Sequence, residues 1–296
     1  MFPAQFTYER ARSEDEALAA LAKYGSDARI LAGGQSLIPA MRYRLARPGV
    51  LIDINPITAF EYIEERDGYL SVGATARDYA IEMSSPIRSR YQLLAATSKV
   101  IADPVVRQTG TLAGSLCHND PAGDWPVAAL AARAQIVVRG VRGTRLVSAD
   151  DFLVDSFTTA VGDDEMAVEV RFPKPPPLTY GAYHKIERKV GDFATACAGV
   201  QLTFDTGGRV AAAGIAIGAV GAKALRVADG EMMMTGYVPT EELIGEVVEV
   251  AKRVADPVAD NRGSVQYKRE MAGVLVGRAL RDACRLSGLK GEGASW

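Results

Sequence analysis

Four prolines crowd into the five residues from Pro173 to Pro177, well past the middle of the chain. Proline fixes its own φ and has no backbone N–H, so this segment cannot continue a helix or a central strand. Such a run prefers an extended conformation. A chain of 296 residues is also long enough for two domains. We therefore predict a first domain over residues 1–176 and a second domain over residues 177–296.

The charge balance argues against a nucleic-acid partner, and the lack of long apolar runs argues against a transmembrane segment. The 34 basic and 36 acidic residues are interspersed and leave a net charge of −2, so no basic footprint for nucleic acid is expected. No apolar run approaches the roughly 20 residues of a transmembrane helix. The first residues also lack the basic and apolar regions of a secretion signal. We expect a cytoplasmic protein without a transmembrane segment.

Local patterns predict a small α/β unit over about residues 1–55. Ser13 and Glu16 form a capping box that begins a helix ending at Gly25. The other elements predicted in this unit are a strand over 28–31, a helix over 37–45 and a strand over 50–54.

A second unit is predicted over about residues 56–176. It begins with a hairpin that turns at Asp67 and Gly68. Its remaining predicted elements are helices over 75–81, 87–97 and 125–134 and a strand over 135–139. Beyond the prolines, paired strands over 194–204 and 210–220 and helices over 241–254 and 264–286 predict an α+β domain.

Two glycine-centred stretches are the candidate ligand-binding segments. They are Ala32-Gly33-Gly34-Gln35-Ser36 and Thr111-Leu112-Ala113-Gly114-Ser115, each read as a loop. Small residues let backbone N–H groups approach a diphosphate closely and form an anion-binding nest. Neither stretch matches the dinucleotide pattern G-x-G-x-x-G or the P-loop pattern. An ordinary turn is the alternative for each stretch alone, but their combination favours a dinucleotide cofactor.

Four separated motifs carry a resemblance to a known family. They are residues 32–39, residues 101–107 with the Gly110-Thr111 continuation, residues 119–124 and residues 189–194. Together they resemble the FAD-binding medium subunits of molybdenum hydroxylases, the xanthine dehydrogenase family, and in particular those of the carbon monoxide dehydrogenase type. The resemblance extends over nearly the whole chain in order.

The resemblance implies an α+β fold. It consists of a vanillyl-alcohol-oxidase-type (PCMH-type) FAD-binding domain of two α/β subdomains and a smaller C-terminal α+β domain. Residues 32–36 and 111–115 would hold the FAD diphosphate and adjoining chain, with Asp124, Lys185 and Phe193 as further contacts. From the residues alone, Lys185 could equally be a solvated lysine on a strand.

The chain departs from the family pattern at three of these positions. Phe193 stands where the carbon monoxide dehydrogenase subunit has a tyrosine beside the flavin ring. Packing against the ring could carry over, with packing in the protein core as the alternative, but a hydroxyl does not carry over. Ala113 and Ser115 stand where the family often has glycine and asparagine. Individual hydrogen bonds of the second stretch therefore do not carry over.

The function that the resemblance implies is electron transfer. FAD, bound noncovalently, would accept electrons from [2Fe-2S] clusters on a small partner, which received them from a molybdenum cofactor on a large partner, and pass them to an external acceptor. The three cysteines lie far apart and form no cluster motif, in keeping with metal centres on partners. A dimer of heterotrimers is implied. The substrate remains open between carbon monoxide, an N-heteroaromatic and an aldehyde.

Two other functions are open from the sequence. The chain could be a self-sufficient FAD-dependent oxidoreductase that acts directly on a small organic substrate, which would require its own acid or base. It could instead be an assembly subunit without a cofactor, with structural glycine turns. Flavin content and direct reduction by a substrate distinguish these alternatives from the electron-transfer subunit.

Overall fold

A computed structural model describes residues 2–288 of the chain. Met1 and residues 289–296, which belong to the predicted second domain, lie outside the described part. The strands are β1 (Thr7–Arg10), β2 (Ala28–Leu31), β3 (Val50–Asp53), β4 (Ile63–Arg66), β5 (Tyr69–Gly73), β6 (Gln135–Gly140), β7 (Gly143–Ser148), β8 (Leu153–Asp155), β9 (Thr158–Thr159), β10 (Glu165–Pro173), β11 (Thr179–Ile186), β12 (Ala196–Phe204), β13 (Val210–Gly218) and β14 (Leu225–Arg226).

Helices flank these strands throughout the described chain. They are α1 (Glu14–Tyr24), α2 (Leu37–Arg42), α3 (Asp78–Met83), α4 (Ser85–Arg90), α5 (Gln92–Ser98), α6 (Pro104–Arg107), α7 (Leu112–His118), α8 (Asp124–Ala131), α9 (Ala149–Phe152), α10 (Ala228–Met234), α11 (Glu241–Val254) and α12 (Val265–Ser287). None within residues 2–288 combines the length and the hydropathy that a bilayer span requires.

The N-terminal part contains a parallel and an antiparallel sheet. The parallel sheet has the strand order β1-β3-β2, and α1 packs on its central strand. The Ser13 cap is confirmed, since Ser13 Oγ accepts from Glu16 N at 3.2 Å. The reciprocal bond differs from a standard capping box, because the Glu16 carboxylate accepts from Arg12 N at 2.7 Å and not from Ser13 N. The antiparallel sheet has the order β4-β5-β10-β6-β7, and the hairpin at Asp67 and Gly68 joins β4 to β5 as predicted. One hydrophobic core joins both sheets.

The C-terminal part is an antiparallel sheet of order β11-β12-β13-β14, with α11 and α12 enclosing a second core. The opposite face meets α5 and α8 of the N-terminal part. Gly214 of β13 permits that approach, because a Cβ there would lie 1.9 Å from the Ala131 carbonyl oxygen. The C-terminal sheet therefore packs against helices α5 and α8 of the N-terminal part.

Four helix predictions differ from the structure. The helix predicted over 37–45 ends at Arg42, before the left-handed residue Arg44. The helix predicted over 75–81 begins only at Asp78, because Arg77 has extended backbone angles. The helix predicted over 87–97 is broken at Tyr91, whose φ of −113° and ψ of 65° are not helical. Tyr91 is buried, so tertiary packing overrides the helical periodicity there. The helix predicted over 125–134 ends at Ala131, before the left-handed residue Arg133.

Candidate cofactor site

The first bend, residues 32–36, connects β2 to α2 at one end of the parallel sheet. Gly34 has a φ of +72°, a left-handed conformation that favours glycine. The backbone N–H groups of Gly33, Gly34, Gln35 and Ser36 donate to no acceptor within the described part of the chain. Consecutive N–H groups without protein acceptors are suited to an anion such as a phosphate.

The second bend, residues 109–115, is not the loop that the glycine pattern predicts. Thr111 caps α7, since its Oγ1 accepts from Gly114 N at 3.1 Å, and residues 112–115 form the first turn of that helix. A threonine with extended backbone angles is a good helix N-cap, so Thr111 begins a helix here instead of a loop. Leu112 and Ala113 are buried, whereas Gly114 is exposed.

The two bends lie against each other. A Cβ on Gly33 would stand 2.3 Å from the Thr109 carbonyl oxygen and 2.9 Å from the Gly110 Cα, which is closer than any side chain tolerates. The Gln35 Nε2 also donates to Thr109 Oγ1 at 2.5 Å. The bends thus form neighbouring walls of one surface, 74 residues apart in sequence.

A hydrogen-bond network that the sequence did not reveal ties the bends together. The Arg77 guanidinium donates to the Thr109 carbonyl oxygen at 2.7 Å and to Asn55 Oδ1 at 2.6 Å. The Asn55 Nδ2 in turn donates to the Ala32 carbonyl oxygen at 2.9 Å and to Asp53 Oδ1 at 2.6 Å. The sequence placed Asn55 just after a predicted strand and Arg77 in a predicted helix, which gives no information on these partners.

Asp78 and Trp125 support the second bend from the buried side. The Asp78 backbone N–H donates to the Gly110 carbonyl oxygen at 2.9 Å, and Trp125 Nε1 donates to Asp78 Oδ1 at 2.9 Å. Burial raises the pKa of the Asp78 carboxyl to about 6, although the hydrogen bond from Trp125 and the charges of Arg107 and Arg77 lower it. Trp125 follows Asp124 directly, which connects the bends to a second group of polar residues.

That group, the interdomain cluster, consists of Asp124, Tyr183, Lys185 and Glu187. The Lys185 ammonium donates to Asp124 Oδ2 at 3.0 Å and to the Val100 carbonyl oxygen at 2.8 Å, and it lies 3.2 Å from Glu187 Oε2. The Tyr183 hydroxyl donates to Asp124 Oδ1 at 2.7 Å. The Lys185 side chain is only 3% exposed, so the solvated alternative for this lysine is wrong.

Burial determines the electrostatics of the interdomain cluster. It raises the pKa of the Asp124 carboxyl, while the charge of Lys185 and the hydrogen bonds from Tyr183 and Lys185 lower it. The pKa of the Tyr183 hydroxyl lies well above its ordinary value because of burial and the neighbouring Asp124 charge. Tyr183 therefore stays protonated and serves as a hydrogen-bond donor.

Phe193 lies on the connection between β11 and β12 and is 46% exposed. This connection rests on the first domain, because a Cβ on Gly191 would lie 2.9 Å from the Ala102 carbonyl oxygen. Gly191 has a φ of +86°, which favours glycine in this turn. An exposed aromatic ring on such a loop is available for packing against a planar ligand.

The structure brings together most of the residues that the sequence singled out. Gly33 of the first bend lies against Thr109 and Gly110, which directly precede residues 111–115. Asp124 pairs with Lys185. The bends and the cluster are linked through Trp125 and Asp78. Over residues 2–288 no group of three or more His, Cys, Asp or Glu side chains is arranged to hold a metal ion.

Two family models together match most of the chain. A model described as the FAD binding domain in molybdopterin dehydrogenase matches residues 4–175. A second, described as the CO dehydrogenase flavoprotein C-terminal domain, matches residues 181–283. The chain belongs to this FAD-subunit family. The family resemblance and the mixed fold expected from the sequence, with an FAD-binding domain and a C-terminal domain, are thereby confirmed.

Members of the family resemble the chain over nearly its full length. The carbon monoxide dehydrogenase medium chain of Hydrogenophaga pseudoflava is 38% identical over 96% of this chain and 98% of the relative. The nicotine 6-hydroxylase medium subunit of Paenarthrobacter nicotinovorans is 33% identical over 87% of this chain and 90% of the relative.

Solved structures agree with these relationships. A carbon monoxide dehydrogenase structure from Hydrogenophaga pseudoflava superimposes with a TM-score of 0.93 and covers 97% of this chain and 99% of that chain, at 38% identity. Quinoline 2-oxidoreductase from Pseudomonas putida 86 gives a TM-score of 0.91 at 30% identity, covering 98% of this chain and 100% of that chain.

Proposed function

We propose that the chain is the electron-transfer subunit of a heterotrimeric molybdenum hydroxylase. Its FAD would take electrons from [2Fe-2S] clusters of a small subunit, supplied by the molybdenum cofactor of a large subunit, and deliver them to an external acceptor. The observation that carries this proposal is the contact of Gly33 with Thr109 and Gly110, which creates one surface from two small-residue bends. Relatives named as medium chains of dehydrogenases support the subunit role.

The bends fit the diphosphate of a flavin nucleotide. The free N–H groups of residues 33–36 are donors for phosphate oxygens, and any side chain on Gly33 would fill the junction between the bends. We assign FAD binding to Ala32, Gly33, Gly34, Gln35, Ser36, Thr111, Leu112, Ala113, Gly114 and Ser115. When bound, FAD supplies the redox chemistry, while these residues bind and orient it. We further propose that the attachment is noncovalent.

Asp124, Lys185 and Phe193 complete the proposed site. Phe193 offers an exposed ring for packing. The Lys185 ammonium has three N–H groups and three protein oxygens around it, so a direct bond to the cofactor would have to replace one of them. We therefore propose that Lys185 and Asp124 act mainly by holding charge close to the flavin. Unchanged FAD affinity and reduction potential in a Lys185→Met variant would exclude this role.

The larger organisation is also part of the proposal. The domains are residues 1–176, with subdomains of about 1–55 and 56–176, and residues 177–296. Two hydrophobic cores support this division, and the first core extends across the boundary to Tyr183, Ala194, Cys197, Ala216 and Ala224 of the second domain. We propose a dimer of heterotrimers located in the cytoplasm. Multi-subunit relatives support an assembly but do not specify its symmetry.

The test is a spectrum of the full chain, purified alone and after coexpression with the proteins encoded beside it. We expect a yellow protein that releases its flavin on denaturation. Substrate should reduce the flavin only in the complete complex. A colourless chain that fails to bind added FAD, or rapid flavin reduction of the isolated chain by a small alcohol or NAD(P)H, would refute the proposal.

A further inference from the structure

The two bends contain no ionisable side chain of their own. Residues 32–36 read Ala-Gly-Gly-Gln-Ser, and residues 109–115 read Thr-Gly-Thr-Leu-Ala-Gly-Ser. Both phosphates of a diphosphate bridge are ionised at neutral pH. Backbone N–H groups supply only partial positive charge. A site made of these bends alone would leave part of the negative charge of its ligand unbalanced.

Arg77 is the charged side chain that hydrogen-bonds to this surface. Among the hydrogen bonds of residues 2–288, no other ionisable side chain donates to or accepts from either bend. Its guanidinium reaches the second bend directly at the Thr109 carbonyl oxygen and the first bend through Asn55. It therefore lies at the junction where the diphosphate is expected.

Arg77 forms no salt bridge within residues 2–288. Within the described chain no carboxylate oxygen lies within the 4.0 Å salt-bridge distance of its guanidinium, and both of its acceptors are neutral. Nearby Arg107 differs, since its Nε donates to the Glu82 carboxylate at 2.9 Å. The buried Asp78 carboxylate accepts from Trp125 and not from Arg77. Arg77 is also partly exposed, and the two bonds leave most of its five N–H donors available.

We propose that Arg77 is the cation that recognises the diphosphate of FAD, and that its bonds to Thr109 and Asn55 hold it in place for that contact. This inference rests on the proposed function of the bends as the FAD site. Arginine suits the task because its planar guanidinium keeps its charge and binds phosphate oxygens with two parallel N–H groups. The neutral acceptors orient the guanidinium without neutralising it.

The experiment measures binding of FAD to the full chain, stripped of flavin, at 50, 150 and 400 mM KCl. ADP serves as a probe that has the diphosphate without the flavin, and adenosine as its uncharged counterpart. We expect Arg77→Met to weaken FAD and ADP binding by roughly ten- to a hundredfold at low salt, and adenosine binding by less than about twofold. The difference from wild type should shrink as salt rises, because salt screens the charge.

Two further variants separate charge from architecture. Arg29→Met is the matched control, because the Arg29 guanidinium, like that of Arg77, donates to neutral acceptors, here the backbone carbonyl oxygens of Ser26 and Ala28. It should bind FAD as wild type does. Arg77→Lys retains the charge and should recover the salt dependence with part of the affinity. It also keeps the test valid if Arg77→Met does not fold.

The outcomes distinguish this inference from the proposed function. If wild type binds FAD and Arg77→Met binds it equally well, Arg77 is not the diphosphate cation. A loss of affinity that is equal for ADP and adenosine and independent of salt would mean that Arg77 only ties the bends together, which also overturns the inference. If wild type itself binds neither FAD nor ADP, the proposed function fails as well.

Discussion

Backbone groups form one half of the candidate site, whereas buried ionised side chains form the other. Residues 32–36 and 109–115 offer N–H groups and close backbone contacts, with Arg77 as the adjacent charge. The interdomain cluster instead places Lys185 between the carboxylates of Asp124 and Glu187. The first half depends on the absence of side chains and the second on their pairing. Substitutions in the backbone half should therefore act mainly on ligand affinity. Substitutions in the interdomain cluster should act first on folding stability and, in the bound state, on the reduction potential and affinity of the flavin.

The largest effect is expected for Lys185→Met in the interdomain cluster. The substitution leaves the Asp124 carboxylate buried without its cation, which costs about 3–5 kcal/mol of unfolding free energy. Urea unfolding of the flavin-free chain at pH 7 measures this loss. The double variant Lys185→Met with Asp124→Asn removes both charges and should recover at least half of it. Equal instability of the single and double variants would contradict this account.

Gly33→Ala tests the backbone half. Its Cβ would lie 2.3 Å from the Thr109 carbonyl oxygen, so the bends must separate. We expect FAD affinity to fall about a hundredfold, equivalent to about 2.7 kcal/mol, as measured by titration of flavin fluorescence. Gly245→Ala is the matched control, because a Cβ on this helical glycine meets no atom within 4 Å. Wild-type affinity in Gly33→Ala would show that the contact between the bends is dispensable.

Asp78→Asn tests the residue that connects the two halves. Because burial raises the carboxyl pKa from 3.8 to about 6, the folded chain binds more protons than the unfolded chain between these values. The unfolding free energy therefore falls as the pH rises from about 4 to 6, and the cost persists above pH 6. Asparagine can still accept from Trp125, so the variant should be more stable than wild type by about 2 kcal/mol at pH 7.5.

The control for Asp78→Asn is the pH series itself. The advantage of the variant over wild type should shrink as the pH falls and vanish by about pH 3, below the unfolded pKa of 3.8, where the aspartate is largely protonated in both states. An advantage that stays constant from pH 4 to 7.5, measured by urea unfolding, would exclude the titration of Asp78 as the cause.

The smallest effect on stability is expected for Phe193→Ala. Because the ring is 46% exposed, the unfolding free energy of the flavin-free chain should change by less than about 0.5 kcal/mol. If the ring packs against the flavin, the visible spectrum of the bound flavin should nevertheless shift. Val190→Ala, in the same loop and 93% exposed, should leave that spectrum unchanged. Identical spectra for both variants would remove Phe193 from the site.

The backbone half of the site was largely predictable from local sequence patterns. The residues Asp124 and Lys185 of the other half were named only through the family resemblance, and their pairing was not predicted. Gly33 and Gly34 mark a strand-to-helix bend by local composition, and the helix cap at Ser13 begins α1 by a local hydrogen bond. The helix cap at Thr111 was overlooked only because the neighbouring glycine suggested a loop. By contrast, the burial of Lys185 depends on Val100 and Asp124, which are 85 and 61 residues distant.

Long-range partners also explain the break in the helix predicted over 87–97 and the position of Arg77. The break at Tyr91 follows from burial of its ring against the rest of the fold, which periodicity does not encode. Arg77 could be seen in the sequence only as an arginine within the helix predicted over 75–81. Its importance depends on Thr109 and Asn55, which the sheet topology brings beside it.

Strand β11 has a consequence for engineering. It belongs to the C-terminal sheet, yet Tyr183 and Lys185 on it complete the hydrogen bonds of Asp124 in α8. A fragment that stops at the proline segment would keep the two bends. It would expose the Asp124 carboxylate without its donors Tyr183 and Lys185, together with the apolar surface that the C-terminal sheet covers. The N-terminal part therefore cannot be transferred alone, and a fusion to another redox protein would have to include this strand.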